Sequence, residues 1–149
     1  MGAPLNVLFL CTGNSARSIL AEALANDPSV GGGRLRGYSA GSHPRGQVHP
    51  LALDTLRERG HPTDGLRSKS WDEFAAPAAP RMDVIVTVCD HAAAEPCPFW
   101  PGHPVTDHWG MPDPAAVEGT DDDRRRAFRD TYDALRRRIA EFAAAARPV

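Results

Sequence analysis

The chain has 149 residues, of which 17 are basic, 19 acidic and 42% apolar, and its formal net charge is −2. That length suits one domain over residues 1–149, able to bury roughly two thirds of its unfolded surface in a single core without a disulfide framework. The mixed, nearly balanced charge excludes a global field for nucleic acid or an anionic membrane, so any anion site has to be local.

The opening MGAPLNVLFL has neither a basic leader region nor a small-residue cleavage pattern after its apolar run, and reads as a first strand, not a signal peptide. Asn6 stands where myristoylation of Gly2 would require Ser or Thr. No apolar segment approaches the ~18 residues that cross a bilayer. An odd cysteine count without an export signal predicts a reducing, cytoplasmic setting, where cysteines are more often reactive or metal-binding than structural.

Residues 7–10 form an unbroken apolar run, as expected of a strand covered on both faces in a parallel sheet. A helix follows, with Ile19, Leu20, Ala23 and Leu24 at helical spacing, and ends before NDPSVGGG, which has loop composition. Residues 34–40 read as a second strand. Residues 49–59 read as a second helix, with Pro50 suited to its first turn and Gly60 to its C-terminal cap. DVIVTVC at 83–89 is another doubly covered strand, and PVTDHW at 104–109 a weaker fourth. Prolines at 96, 98, 101 and 104 deny the segment between them regular structure.

Before the last helix, Thr120 and Asp123 approximate a capping box, and Asp121 to Asp123 suit the positive end of the helix dipole. Phe128, Tyr132, Leu135, Ile139 and Phe142 then make one apolar stripe. Arg136 to Arg138 belong to a solvated face, because Asp130, Asp133 and Glu141 interleave with the arginines. Strands alternating with helices predict a single three-layer α/β domain around a four-stranded parallel sheet, its ligand site at the carboxyl ends of the strands.

Cys11 sits at such an end, in VLFLCTGNSARS. TGNSA separates it from Arg17, and Ser18 follows. In a strand-loop-helix setting, the backbone N–H groups from Thr12 through Gly13, Asn14, Ser15 and Ala16 to Ser18 can converge on an anion, with Gly13 and Asn14 supplying the freedom for a tight curl. Arg17 adds a bidentate clamp, so the loop suits a tetrahedral oxyanion. The same helix terminus and guanidinium favour thiolate over thiol at Cys11, and Ser18 can donate a further hydrogen bond to the sulfur. The plainer alternative makes Cys11 one more buried apolar residue and Gly13 a simple turn. The strand before, the helix after and Ser18 behind weigh against it. No lysine follows the glycine as a nucleotide-binding loop requires, so ATP is not the ligand.

CTGNSARS after VLFL resembles the phosphate-binding loop shared by low-molecular-weight protein tyrosine phosphatases and the arsenate reductases of the same fold. Both would make Cys11 the nucleophile and Arg17 the oxyanion clamp. TVC at 89, the Cys97-Pro98 pair, DHWGMPDPA at 107–115 and EGT before the last helix extend the resemblance to the thioredoxin-coupled reductases over nearly the whole chain. That resemblance implies a relay. Cys11 attacks arsenate, Cys89 attacks Cys11 as arsenite leaves, and Cys97 draws the oxidation outward as a Cys89–Cys97 disulfide for an external reductant. It also implies Asp113, ahead of Pro114, as the general acid, where the residues alone read equally as a turn-forming Asp-Pro. His108 and Trp109 match as supporting residues.

Ala16 replaces a cysteine that some relatives carry, seven residues between Cys89 and Cys97 are one more than the thioredoxin-linked branch leads one to expect, and Ala115 stands where the phosphatases place an aromatic. The last difference favours a reductase. Cys89, Cys97, His91 and His103 lack the ligand spacing of a structural zinc site. The resemblance implies no tightly bound cofactor beyond a monovalent cation, for which the matching positions are Asn14, Glu22, Ser39 and Asp72; Glu22 reads equally as a solvated helix residue. The partners it implies for a monomer are arsenate, with phosphate or sulfate as competing oxyanions, and thioredoxin, glutaredoxin or a low-molecular-weight thiol. A phosphatase of the same fold and an oxyanion-binding module without turnover are the alternatives.

Overall fold

The computed structural model describes residues 4–88 and 105–145. Four parallel strands form one sheet: β1 (Leu5–Leu10), β2 (Leu35–Ala40), β3 (Val84–Thr87) and β4 (Val105–His108), in the order β2-β1-β3-β4. Around them lie α1 (Arg17–Ala25), α2 (Pro28–Gly31), α3 (Pro50–Glu58), α4 (Asp72–Ala75), a 3-10 turn (Pro114–Ala116) and the long α5 (Asp121–Ala145). The α/β class and four parallel strands agree with the sequence reading. Two short helices do not. NDPSVGGG is not all loop, because the Asp27 carboxylate accepts the Ser29 amide at 2.8 Å, Pro28 opens the turn and Gly32 closes it in the left-handed region at φ +64°. α4 depends on its packing, since only Phe74 of its four residues is buried.

Alternation along β1 divides the core. Val7, Phe9 and Cys11 face one side, where Ile19, Leu20 and Leu24 of α1, Leu56 of α3 and Phe128, Leu135 and Ile139 of α5 close over them. Leu8 and Leu10 face the other, against Phe74, Met82 and Ile85. Residues 7 to 10 are all at most 1% exposed, as the unbroken apolar run requires. Each such side chain contributes about 1.5–3 kcal/mol on burial.

β1 pairs with β2 as Leu10↔Ala40 and with β3 as Leu10↔Thr87, so residues 11, 41 and 88 follow strand ends at one sheet edge. The α5 capping box is reciprocal: the Asp123 amide donates to Thr120 Oγ1 and the Thr120 amide to Asp123 Oδ2, each at 3.1 Å. Ion pairs Arg129–Glu58 and Arg125–Asp54 join α5 to α3 and, being open to solvent, add little to stability. Among the described residues no helix is long and apolar enough to cross a membrane.

Candidate active site

The loop from Cys11 to Ala16 is held by its carbonyls. Thr12 O accepts the His43 amide at 2.9 Å, Gly13 O accepts the Arg45 amide and Ser68 Oγ, both at 3.0 Å, and Ser15 O accepts the His49 amide at 2.9 Å. In a trans peptide the N–H points opposite the C=O, so pinning these carbonyls outward turns the next amides, of Gly13, Asn14 and Ala16, toward the centre of the curl. Asn14 makes the curl possible at φ +44°, a conformation that asparagine tolerates better than most residues.

Cys11 is 3% exposed, and its Sγ lies 2.9 Å from Ser18 Oγ. Asn14 Nδ2 donates to the same Oγ at 2.7 Å, which leaves the serine proton free to point at sulfur. Asn14 and Ser18 are both fully buried, so this network runs behind the loop. The pocket in front is lined by Cys11, Gly13, Ser15, Ala16, Arg17, Arg45, Asp113 and Ala115. Its volume of about 30 Å³ suits a small inorganic ion, far below the 300 Å³ or more of an ordinary small-molecule site.

Arg17 Nη1 donates to Met111 O at 2.9 Å, and Nη2 lies 3.8 Å from Asp113 Oδ2. The segment bearing both partners is anchored to β3, because the Trp109 amide donates to Thr87 O at 2.8 Å and the Met111 amide to Val88 O at 3.0 Å. Asp113 Oδ1 accepts the Ala115 amide at 2.9 Å, so the residue caps the 3-10 turn and lines the pocket at once. The turn-former and the pocket carboxylate are the same side chain. Trp109 is buried between Phe9 and Phe142, at ring-centroid distances of 5.9 and 5.8 Å, and His108 Nδ1 meets Thr87 Oγ1 at 2.7 Å. Both lie outside the pocket lining. Cys89 and Cys97, with His91 and His103, lie outside the described residues.

Of the other loop residues, Gly13, Ser15 and Ala16 line the pocket, whereas the carbonyl of Thr12 braces the curl from outside. Arg45 was not anticipated from the sequence. It brings a second guanidinium to the pocket and approaches Gly13 closely enough that a Cβ there would meet its Nε at 3.1 Å. The available signal was a basic residue just past the second strand, on the edge that also carries Cys11.

Three of the four cation candidates converge behind the loop around a lysine that the sequence reading did not single out. Lys69 Nζ lies 3.7 Å from Glu22 Oε1 and 3.4 Å from Ser39 Oγ, while its amide donates to Asn14 Oδ1 at 2.9 Å. Asp72 is exposed at the start of α4. His49, the N-cap of α3, accepts the Leu51 amide on Nδ1 at 3.1 Å; burial, with Arg124 and Arg45 nearby, holds its pKa below the usual imidazole range and keeps that nitrogen an acceptor.

Residues 6–147 match the low molecular weight phosphotyrosine protein phosphatase family. An arsenate reductase of Halalkalibacterium halodurans is 38% identical over 92% of this chain and 94% of its own. Among solved structures, an arsenate reductase in the phosphate binding state superposes with a TM-score of 0.70 at 26% identity, covering 94% of this chain and 97% of that one. A thioredoxin-dependent arsenate reductase of Corynebacterium glutamicum superposes with a TM-score of 0.65, also at 26% identity, covering 97% of this chain and 63% of that one.

Proposed function

The chain belongs to the low molecular weight phosphotyrosine protein phosphatase family, and on that premise we propose that it is an arsenate reductase that works by a three-thiol relay. The observation that carries this reading is a pairing at the sheet edge. The Val88 amide donates to Leu10 O at 2.9 Å, and each of these residues immediately precedes a cysteine, Cys89 and Cys11. A phosphatase has no use for the second thiol. A reductase needs it.

Arsenate enters with its oxygens on the loop amides and on the Arg17 donors not engaged with Met111 O. The Cys11 sulfur attacks arsenic and one As–O bond breaks. Asp113, at the pocket wall beside Arg17, gives the departing oxygen its proton, and it leaves as water. Ser18 steadies the sulfur before attack. Cys89 then attacks the Cys11 sulfur. The S–As bond breaks with its electron pair passing to arsenic, which leaves as arsenite, and a Cys11–Cys89 disulfide remains. Cys97 attacks the Cys89 sulfur and frees Cys11, and a dithiol reductant of the thioredoxin type reduces the Cys89–Cys97 disulfide. Ala115 and the small pocket, together with Arg45, favour an inorganic oxyanion over an aryl phosphate.

Arsenite production with thioredoxin, thioredoxin reductase and NADPH tests the proposal, and Cys11→Ser or Cys89→Ser should each abolish it. Turnover unchanged by Cys89→Ser would discard the relay. Efficient aryl phosphate hydrolysis that survives loss of both Cys89 and Cys97 would make the protein a phosphatase.

A further inference from the structure

Behind the loop, a basic side chain stands among acceptors that the family resemblance would give to a monovalent metal ion. Lys69 is 8% exposed. Its ammonium faces Glu22 of α1 and Ser39 of β2 and donates to Arg67 O at 2.9 Å. Ser39 Oγ itself donates to Glu22 Oε1 at 2.5 Å, so that carboxylate oxygen already serves a hydroxyl and an ammonium. These residues do not fit a bound metal ion with Lys69 in place. A second positive charge there would share the same oxygens at short range in a poorly screened interior.

We propose that Lys69 is the resident cation of this site and a positioning residue for the oxyanion loop. Its ammonium fastens the 67–69 segment to α1 and β2. Its amide, fixed by that anchor, holds Asn14 Oδ1, and Asn14 passes the restraint to Ser18 Oγ and so to Cys11 Sγ. Burial draws the lysine pKa down, while the Glu22 carboxylate 3.7 Å away opposes the shift. The consequence is an oxyanion site whose order does not depend on potassium. The inference rests on the reading above only in taking the loop as an oxyanion site.

The test uses the full chain at constant ionic strength in potassium, sodium or choline chloride, with inorganic phosphate as the probe, followed by calorimetry and thermal melting. Wild-type protein should show the same melting temperature and, within about twofold, the same phosphate affinity in all three salts. Lys69→Ala should lose about tenfold or more in phosphate affinity, and ethylammonium, but not choline, should restore it. A potassium-specific rise of several degrees in wild-type melting temperature would overturn the proposal. So would an alanine variant that binds phosphate normally, or a loss that ethylammonium does not restore. If Lys69→Ala does not fold, the three-salt comparison of the wild type decides alone. Absence of arsenite production in every salt would refute the reductase reading and leave this result standing.

Discussion

Replacing Gly41 with alanine should damage the oxyanion loop from behind. Gly41 follows β2 in a conformation open to any residue, so the constraint is space, not φ. A Cβ there would lie 2.4 Å from Thr12 O, 2.8 Å from Cys11 O and 3.0 Å from Asn14 N, all backbone atoms of the loop. Reaching an ordinary contact of 3.4 Å from Thr12 O requires a movement of about 1 Å. Gly41 cannot simply retreat, because its amide donates to Lys69 O at 2.9 Å and its carbonyl accepts the Trp71 amide at 3.0 Å. The strain therefore falls in the upper part of the overpacking range, about 2–3 kcal/mol, and a shift of ~1 Å in the loop that aligns the reaction costs ~10²-fold in turnover. Urea unfolding reads the first effect, and phosphate calorimetry with arsenite production reads the second. Gly13→Ala is the control for stability, since the three nearest atoms that a Cβ there would meet all belong to the flexible Arg45 side chain, and it should cost less than about 1 kcal/mol. A Gly41→Ala protein as stable as its parent with unchanged phosphate affinity, or a Gly13→Ala protein equally destabilised in urea, would refute the reasoning.

Ser18→Ala strands the Asn14 amide and removes the hydroxyl from Cys11 Sγ, so it should destabilise by about 1–3 kcal/mol and slow alkylation of Cys11 by iodoacetamide about tenfold. Peptide mass spectrometry follows Cys11 separately; an unchanged alkylation rate would uncouple Ser18 from the sulfur. Burial also lowers the pKa of His61, whose Nδ1 lies 3.1 Å from Asp27 and whose Nε2 meets the Tyr132 hydroxyl, with Arg59 and Arg136 close enough to oppose protonation. Because His49 and His61 both titrate below their unfolded values, the unfolded chain takes up protons first. Stability present at about pH 7.5 should then fall as the pH passes below ~6.5. Urea midpoints between about pH 7.5 and 5.5 test the sign, and a midpoint that rises on acidification would contradict it.

The parts of the fold legible in the sequence are those whose signal is local. The unbroken run at 7–10 is a strand covered on both sides, Thr120 and Asp123 do cap a helix, and Cys11, Gly13, Asn14, Arg17 and Ser18 fall in one loop because they are neighbours in the chain. α4 was illegible because one turn has no period to read and Phe74 is held by Leu8 and Leu10, more than sixty positions away. Arg45 and Lys69 escaped for a similar reason. Pairing of β1 with β2 brings the segment around Arg45 to the loop, and the Gly41↔Ser70 bridge brings Lys69 there, neither of which is written in spacing. Asp113 could be flagged by its proline but not located. Its position follows from the amides of Trp109 and Met111 on the end of β3.

A strand pinned on both flanks has an awkward birth. During synthesis β1 must wait for its partners, which lie 30 residues on at Leu35, facing Leu5, and 77 residues on at Val84, facing Val7. Non-local parallel pairing closes slowly, so the Cys11 sulfur stays bare until β3 has been made and has paired with β1. For this nascent chain the hazard is premature oxidation of a thiol that only the finished sheet shelters.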